Sequence, residues 1–360
     1  MRRLVLDGSY GEGGGQILRT ALSTAAIAHQ PIRIERIRAG RPNPGLAAQH
    51  LTAVHAVAAL CHARLEGATL GSRELEFTPR EPVHAGHFEV DVARMREGGS
   101  AGSVTLVLQA MLVPLALAQG HSTIDLRGGT HAAHSPPFEM IEDAWLPLLR
   151  KMGASADLEM LVRGWYPVGQ GHVRATIEGG SLAPLRCEER GELQRVTGRA
   201  VTSRLPSHIG ERMVSHARAA LAAAGVASEL VAVDAPAACA GAGFFLTAAY
   251  ANTSASFGAL GQRGKPAELV ADEAVSELLA FHASGATLDV HLADQALLPA
   301  ALAGGESVFV AERASGHLRT NAWVIERFGL ARVEIAASDT APGSVRVTPM
   351  HLHHQTYGNE

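Results

Sequence analysis

Lysine is nearly absent: only Lys151 and Lys265 stand among the 31 cationic side chains of this 360-residue chain, and the rest are arginine. Arginine offers a planar, bidentate fork to phosphate, where lysine offers a mobile point charge. Cysteine is sparse too. Cys61, Cys187 and Cys239 are odd in number and no two have CxxC spacing, which reads as a reducing compartment and no structural zinc. No apolar run is long enough to cross a membrane. The longest, Val104 to Ala118, contains Gln109 and Pro114. The apolar stretch near Met1 is too short for a signal peptide. There is no excess of positive charge: 31 cations face 35 carboxylates, a net of −4, which excludes a polycation that holds nucleic acid by bulk charge. A soluble, cytoplasmic protein is expected.

What is present is a large core. With 47% hydrophobic and 18% charged residues, the chain can fill two or three domains. Its pattern repeats. A strand at Arg3 to Asp7 leads through a glycine-rich turn to a helix over Gly15 to His29. A strand over Pro31 to Ile37 leads to a helix over Gly45 to Cys61. Ala47, Leu51, Val54, Ala58 and Cys61 form its buried stripe. Strands at Arg64 to Glu66 and Glu74 to Thr78 close the unit. The order returns from Phe88 to Ile177, with helices over Val104 to Ala118 and from Pro136 to Met152. It returns once more after Thr287: a strand to Leu292, a helix over Ala293 to Ala303, a strand over Ser307 to Ala311, the helix Leu318 to Phe328, and two strands. The expectation is an α/β fold of three βαβαββ repeats over residues 1–183 and 285–360. A small α/β domain over 184–284 is inserted between two repeats.

Five motifs could carry chemistry. Asp7-Gly8-Ser9-Tyr10-Gly11-Glu12-Gly13-Gly14-Gly15 runs into a helix, so backbone N–H groups can approach an anion. No Gly-Lys-Ser/Thr follows, so it is not a Walker A loop. Glu12 is either a ligand for a hard divalent cation or a solvated turn residue. Arg38 and Arg41 flank a tight turn before a helix whose first turns carry Gln49 and His50. They form a phosphate clamp or a solvated loop. Ser100-Ala101-Gly102-Ser103 opens an apolar helix in which Gln109 needs a partner, in packing or in a ligand. His291-Leu292-Ala293-Asp294-Gln295 lies at a strand-to-helix junction, where Asp294 would cap the helix. His317 begins the last helix, whose positive dipole end disfavours imidazolium and leaves a neutral, nucleophilic ring. His131 and His134 read as loop polarity, and His351, His353 and His354 as a solvated tail or an adventitious metal site.

Taken in order, these motifs resemble the RNA 3′-terminal phosphate cyclase family. The resemblance rests on Leu6-Asp7-Gly8 with Gly11 to Arg19, on Ile37 to Arg41 with Pro44-Gly45-Leu46, and on Gln49-His50-Leu51. It continues through Ser100 to Gln109, Leu292 to Gln295, His317, Thr320-Asn321 and Val324 to Phe328. It implies a thioredoxin-like inserted domain, with ATP and Mg²⁺ or Mn²⁺ as cofactors. It implies conversion of an RNA 3′-phosphate to a 2′,3′-cyclic phosphate through a histidine-AMP and an RNA-adenylate intermediate. By that resemblance His317 is the nucleophile. Gln109 and the stretch His291, Leu292, Ala293, Asp294 and Gln295 bind ATP. Glu12 lies by the metal. Arg19, Arg38, Arg41 and Gln49 surround the phosphates and the RNA end. His291, Gln170 and Trp323 depart from the family's usual residues. Neither lysine has the Lys-x-Asp-Gly setting of lysine adenylates. A non-catalytic ribosome-assembly factor of the same fold would lack the nucleophilic histidine. An enolpyruvyl transferase would need six repeats in two equal domains.

Overall fold

The computed structural model describes residues 2–95 and 102–350. Ser100, Ala101 and the tail histidines His351, His353 and His354 lie outside the described residues. The first unit comprises β1 (Leu4–Asp7), α1 (Gly15–Ile27), β2 (Ile32–Glu35), α2 (Ala48–Leu60), β3 (Arg64–Glu66) and β4 (Leu75–Thr78). Its sheet runs β1-β2-β4-β3, the first pair parallel and the others antiparallel. Alternation along the strands puts Ile32, Ile34, Leu75 and Phe77 on one face. They meet Leu18 and Leu22 of α1 and Val54 and Val57 of α2.

The second unit has the same order and directions: β5 (His87–Asp91), α3 (Val104–Leu117), β6 (His121–Gly128), a helical stretch, β7 (Ser155–Val162) and β8 (Gly171–Glu178). α3 is buried on nearly every side, as its almost unbroken apolar sequence requires, and it touches both α1 and α2. Ser103 caps it, its Oγ accepting from the Leu106 N–H at 3.4 Å. The helical stretch opens as α4 (Phe138–Met140), widens into a π turn at Ile141–Trp145 and ends as α5 (Leu146–Lys151).

Next come β9 (Arg186–Cys187), β10 (Leu193–Ser203), α6 (His208–Ala223), β11 (Glu229–Asp234), β12 (Gly241–Tyr250), β13 (Ser254–Leu260) and α7 (Ala267–Ser284). The strands β10 to β13 form a sheet of order β11-β10-β12-β13 with a core of its own, including Met213, Leu221, Phe244, Leu278 and Phe281. The chain closes with α8 (Val290–Ala301), β14 (Ser307–Ala311), α9 (Gly316–Arg327), β15 (Ala331–Ile335) and β16 (Gly343–Pro349). Here the sheet order is β9-β14-β16-β15, again with one parallel pair and two antiparallel pairs.

Two expectations are corrected. The strand over Thr287 to Leu292 is replaced by the start of α8; only Leu288 bridges to Ala311. The alternation of Leu288, Val290 and Leu292 imitates a strand. Asp289 ends it, because its Oδ1 accepts from the N–H groups of His291 at 2.9 Å and Leu292 at 3.0 Å. Asp289, not Asp294, is therefore the cap, and His291 to Gln295 lie within the helix. The strand beside β14 is instead the two-residue β9, far upstream and too short to show a period.

His131 is not loop polarity either. It is buried, with Nε2 donating to Glu139 Oε2 at 2.7 Å and Nδ1 facing Thr130 Oγ1 at 2.7 Å. Its ring stacks on Trp165 at 4.4 Å, beside Phe245 of β12, where the second unit meets the segment after β9. His134 is exposed. Burial opposes the charge of Glu139. His131, by charge and hydrogen bond, with Arg163 and Arg199, nevertheless brings the carboxyl down to about 2. A carboxyl depressed by folding adds stability above its ordinary value of 4.5, and that stability is lost as pH falls toward about 2. Glu139→Gln should lower unfolding free energy at neutral pH by about 3 kcal/mol and flatten the acid limb. Urea unfolding across that window checks this; an acid limb as steep as the wild type's would contradict it.

Candidate active site

The glycine loop between β1 and α1 lies along one stripe of α9. Positions 316, 320 and 323 are spaced by four and three, so they share a helix face. Tyr10 stacks on Trp323, ring centroids 4.2 Å apart. Gly11, at φ +57°, passes so close that a Cβ there would lie 2.5 Å from Thr320 Oγ1. A Cβ on Gly316 would lie 2.2 Å from Glu12 Oε1. Loop residues 10, 11 and 12 thus meet helix residues 323, 320 and 316. Trp323, which departs from the family's usual residue, has a partner here that sequence spacing could not reveal.

This contact brings Glu12 to His317. Glu12 Oε2 lies 2.9 Å from Nε2, and Asp294 Oδ2 of α8 lies 3.5 Å from Nδ1. The imidazole has a carboxylate at each nitrogen. The hydrogen bond with Asp294, and then the charges of Asp294 and Glu12, outweigh burial and Arg19 and raise its pKa above 6.5. The expectation of a ring kept neutral by the helix dipole is corrected. That dipole is worth about 0.3–1 kcal/mol at an exposed terminus, less than two carboxylates at contact distance. Asp294 is held in turn: Asn321 Nδ2 donates to its carbonyl at 3.1 Å, and Asn321 Oδ1 accepts from Thr20 Oγ1 at 2.7 Å. These two bonds join α1, α8 and α9.

Cationic groups surround the pair. Arg19, half-buried and bonded to Gln16, is lowered to about 10 by burial, which Asp294 partly offsets. Arg38 donates to the Gly45 carbonyl at 2.8 Å; burial and then Arg41 lower its pKa. Arg41 lies 3.8 Å from Glu12 Oε2. Guanidinium groups with so little local compensation make a site for anions. Gln49 accepts from the Ser103 N–H at 3.3 Å and so ties α2 to the start of α3. His50 was not among the expected site residues. It is buried, its Nε2 faces Gly15, and burial with Arg19 and Arg38 lowers it to about 3, so it is neutral at physiological pH.

A cleft opens beside Arg19, lined among others by Gln109 of α3, Trp145 of the π turn, and Asp294 and Gln295 of α8. Gln109 Nε2, Gln295 Oε1 and Trp145 Nε1 are buried and have no hydrogen-bond partner within the protein. Such atoms cost free energy unless a ligand or water meets them. They fit a nucleoside, which carries both donors and acceptors. Leu292 and Ala293 point into the apolar core and not into the cleft, while His291 is exposed one turn before Gln295. Among the described residues no group of three or more His, Cys, Asp or Glu could hold a metal ion. A divalent ion at Glu12 would take its other oxygens from phosphate and water.

An uncompensated arginine cluster, a doubly anchored histidine and unpartnered base-edge donors suit phosphoryl chemistry on a nucleotide. Sequence comparison narrows the class. A model of the RNA 3′-terminal phosphate cyclase family matches residues 10–335, and the chain belongs to that family. Proteins named RNA 3′-terminal phosphate cyclase are similar to it nearly end to end. The Methylococcus capsulatus protein is 58% identical, over 96% of this chain and 97% of its own. The Trichormus variabilis protein is 52% identical, over 92% and 95%. The Methanopyrus kandleri protein is 42% identical, over 97% and 99%.

Gly316→Ala tests the loop contact. The added methyl must push Glu12 away from His317, and displacement by about 1 Å can cost roughly a hundredfold in rate. The variant should fold normally and lose about that much cyclase activity. Unaltered activity would show that the loop does not set the catalytic geometry.

Proposed function

We propose that the chain is an ATP-dependent cyclase that converts RNA 3′-phosphate ends to 2′,3′-cyclic phosphates. The observation that carries this reading is His317 between two carboxylates, beside a cleft that Arg19 lines. Asp294 accepts a hydrogen bond from Nδ1–H, which keeps that proton on Nδ1 and makes Nε2 the nucleophilic nitrogen. Glu12 accepts the Nε2 proton. Nε2 attacks the α-phosphorus of ATP, a P–N bond forms, and pyrophosphate leaves. An oxygen of the RNA 3′-phosphate then displaces imidazole and takes the adenylyl group. Finally the 2′-hydroxyl attacks the 3′-phosphorus, loses its proton and expels AMP. Arg19, Arg38 and Arg41 stabilise the charge on the transferring groups. Mg²⁺ or Mn²⁺ would be held through Glu12 and would polarise phosphate oxygens. Gln49 fixes the α2–α3 junction beside them.

Residues 1–183 and 285–360, joined by β9, form in this reading a catalytic domain of three βαβαββ repeats, and the rest of 184–284 forms a thioredoxin-like unit inserted after β9. The shared strand order of three sheets and the separate core of the fourth support the division. Free cysteines and the lack of a described helix fit to cross a membrane support a cytoplasmic setting. The competing reading, a non-catalytic assembly factor, leaves the arrangement around His317 without a use.

RNA ends test the proposal. A 3′-phosphate RNA should be cyclised. A 3′-hydroxyl RNA should not react. A DNA 3′-phosphate should stop as its adenylylated product, because it lacks the internal hydroxyl. Arg41→Ala should reduce turnover of the RNA 3′-phosphate roughly a hundredfold. Equal turnover of all three ends, or an Arg41 variant with wild-type activity, would place the phosphate elsewhere.

A further inference from the structure

We infer that Trp145 reads the adenine of ATP, its indole Nε1–H donating to a ring nitrogen of the base. This rests on the reading of the cleft as the ATP site. Trp145 is only 2% exposed, lines the cleft and has no hydrogen-bond partner for Nε1. A buried indole N–H normally finds an acceptor, and one without a partner on a side chain that lines a cleft is set for a ligand. The atoms around it form a complementary set. Gln109 Nε2 is a second free donor and Gln295 Oε1 a free acceptor. Adenine presents ring-nitrogen acceptors and a 6-amino donor, which match two donors and one acceptor.

The backbone around Trp145 shows how it is aimed. It ends the π turn Ile141–Trp145. One extra residue in a helical turn rotates the residues beyond it by about 100°. Trp145 lines the cleft, while the preceding Glu142 and Asp143 pair with Arg199. Those two carboxylates are gripped by β10, β12 and β13. Arg199 donates to both, Thr247 Oγ1 donates to Asp143 Oδ2 at 3.0 Å, and Ser254 Oγ donates to the Asp143 carbonyl at 3.0 Å. The segment after β9 therefore holds the back of the turn whose front carries the indole. Trp145 is a nucleotide-reading residue, and its rigid support comes from that segment.

The experiment compares ATP with 1-deaza-, 3-deaza- and 7-deaza-ATP in self-adenylylation by wild-type protein and by Trp145→Phe, which keeps an aromatic ring and removes the N–H. The variant should raise the KM for ATP roughly five- to tenfold, with much less change in kcat. One analogue should be similarly weak with wild type, and the variant should no longer distinguish it from ATP. An unchanged KM, or equal weakening of ATP and every analogue, would overturn the proposal, because lost packing acts on all four alike. If the variant does not fold, the wild-type series decides alone: no discrimination among the four nucleotides overturns it. Absence of wild-type adenylylation by ATP would be a different result, removing the ATP reading and this inference with it.

Discussion

The imidazole of His317 is held by a carboxylate at each ring nitrogen, and both carboxylates come from distant parts of the chain. Glu12 arrives on the glycine loop after β1, and Asp294 on the second turn of α8. Three elements must therefore meet within hydrogen-bond distance. The stripe 316-320-323 of α9 makes this possible, since small side chains let the loop lie flat and one aromatic pair pins its outer end. Asn321 makes the matching link beneath, tying α8 and α1 together through Asp294 and Thr20. The architecture of the first and last units converges on one ring.

A ring paired with two carboxylates is protonated more readily than a free imidazole. Attack on phosphorus needs the unprotonated nitrogen. A nucleophile must give up its Nε2 proton, and Glu12 is the adjacent acceptor. The arginine cluster then has a second purpose besides holding phosphate. Arg19 opposes the protonated ring electrostatically, and its own charge is costly in its buried setting until an anion arrives. In the proposed reaction an anion bound beside Arg19 would offset the cost of burying that guanidinium.

Much of this was legible in the sequence, because helices with strong apolar stripes and alternating strands declare themselves locally. Glu12, Arg38, Arg41, Asp294 and His317 were all marked by residue type next to a turn or helix start, and Arg19 only by the family resemblance. What failed was whatever depended on partners remote in sequence. Leu288, Val290 and Leu292 alternate as a strand does, and only the cap by Asp289 decides against it. β9 has two residues and no period. His131 looked like loop polarity because Glu139 and Trp165 become its neighbours only on folding. The charge state of His317 was misjudged for the same reason: the helix dipole is visible in sequence, and two carboxylates brought from elsewhere are not. Trp145 went unnoticed because it resembles an ordinary core residue until the cleft is formed around it, and His50, though part of a marked motif, was given no role.

The central claim is that His317 Nε2 is the nucleophile toward ATP. The direct measurement is incubation of the protein with α-labelled ATP and Mg²⁺ or Mn²⁺ in the absence of RNA, followed by chemical and mass-spectrometric characterisation of the labelled protein. The account predicts one adenylyl group on the His317 peptide, lost in acid and stable in alkali, as a phosphoramidate is. Label that survives acid, or that maps to a peptide without His317, would contradict it.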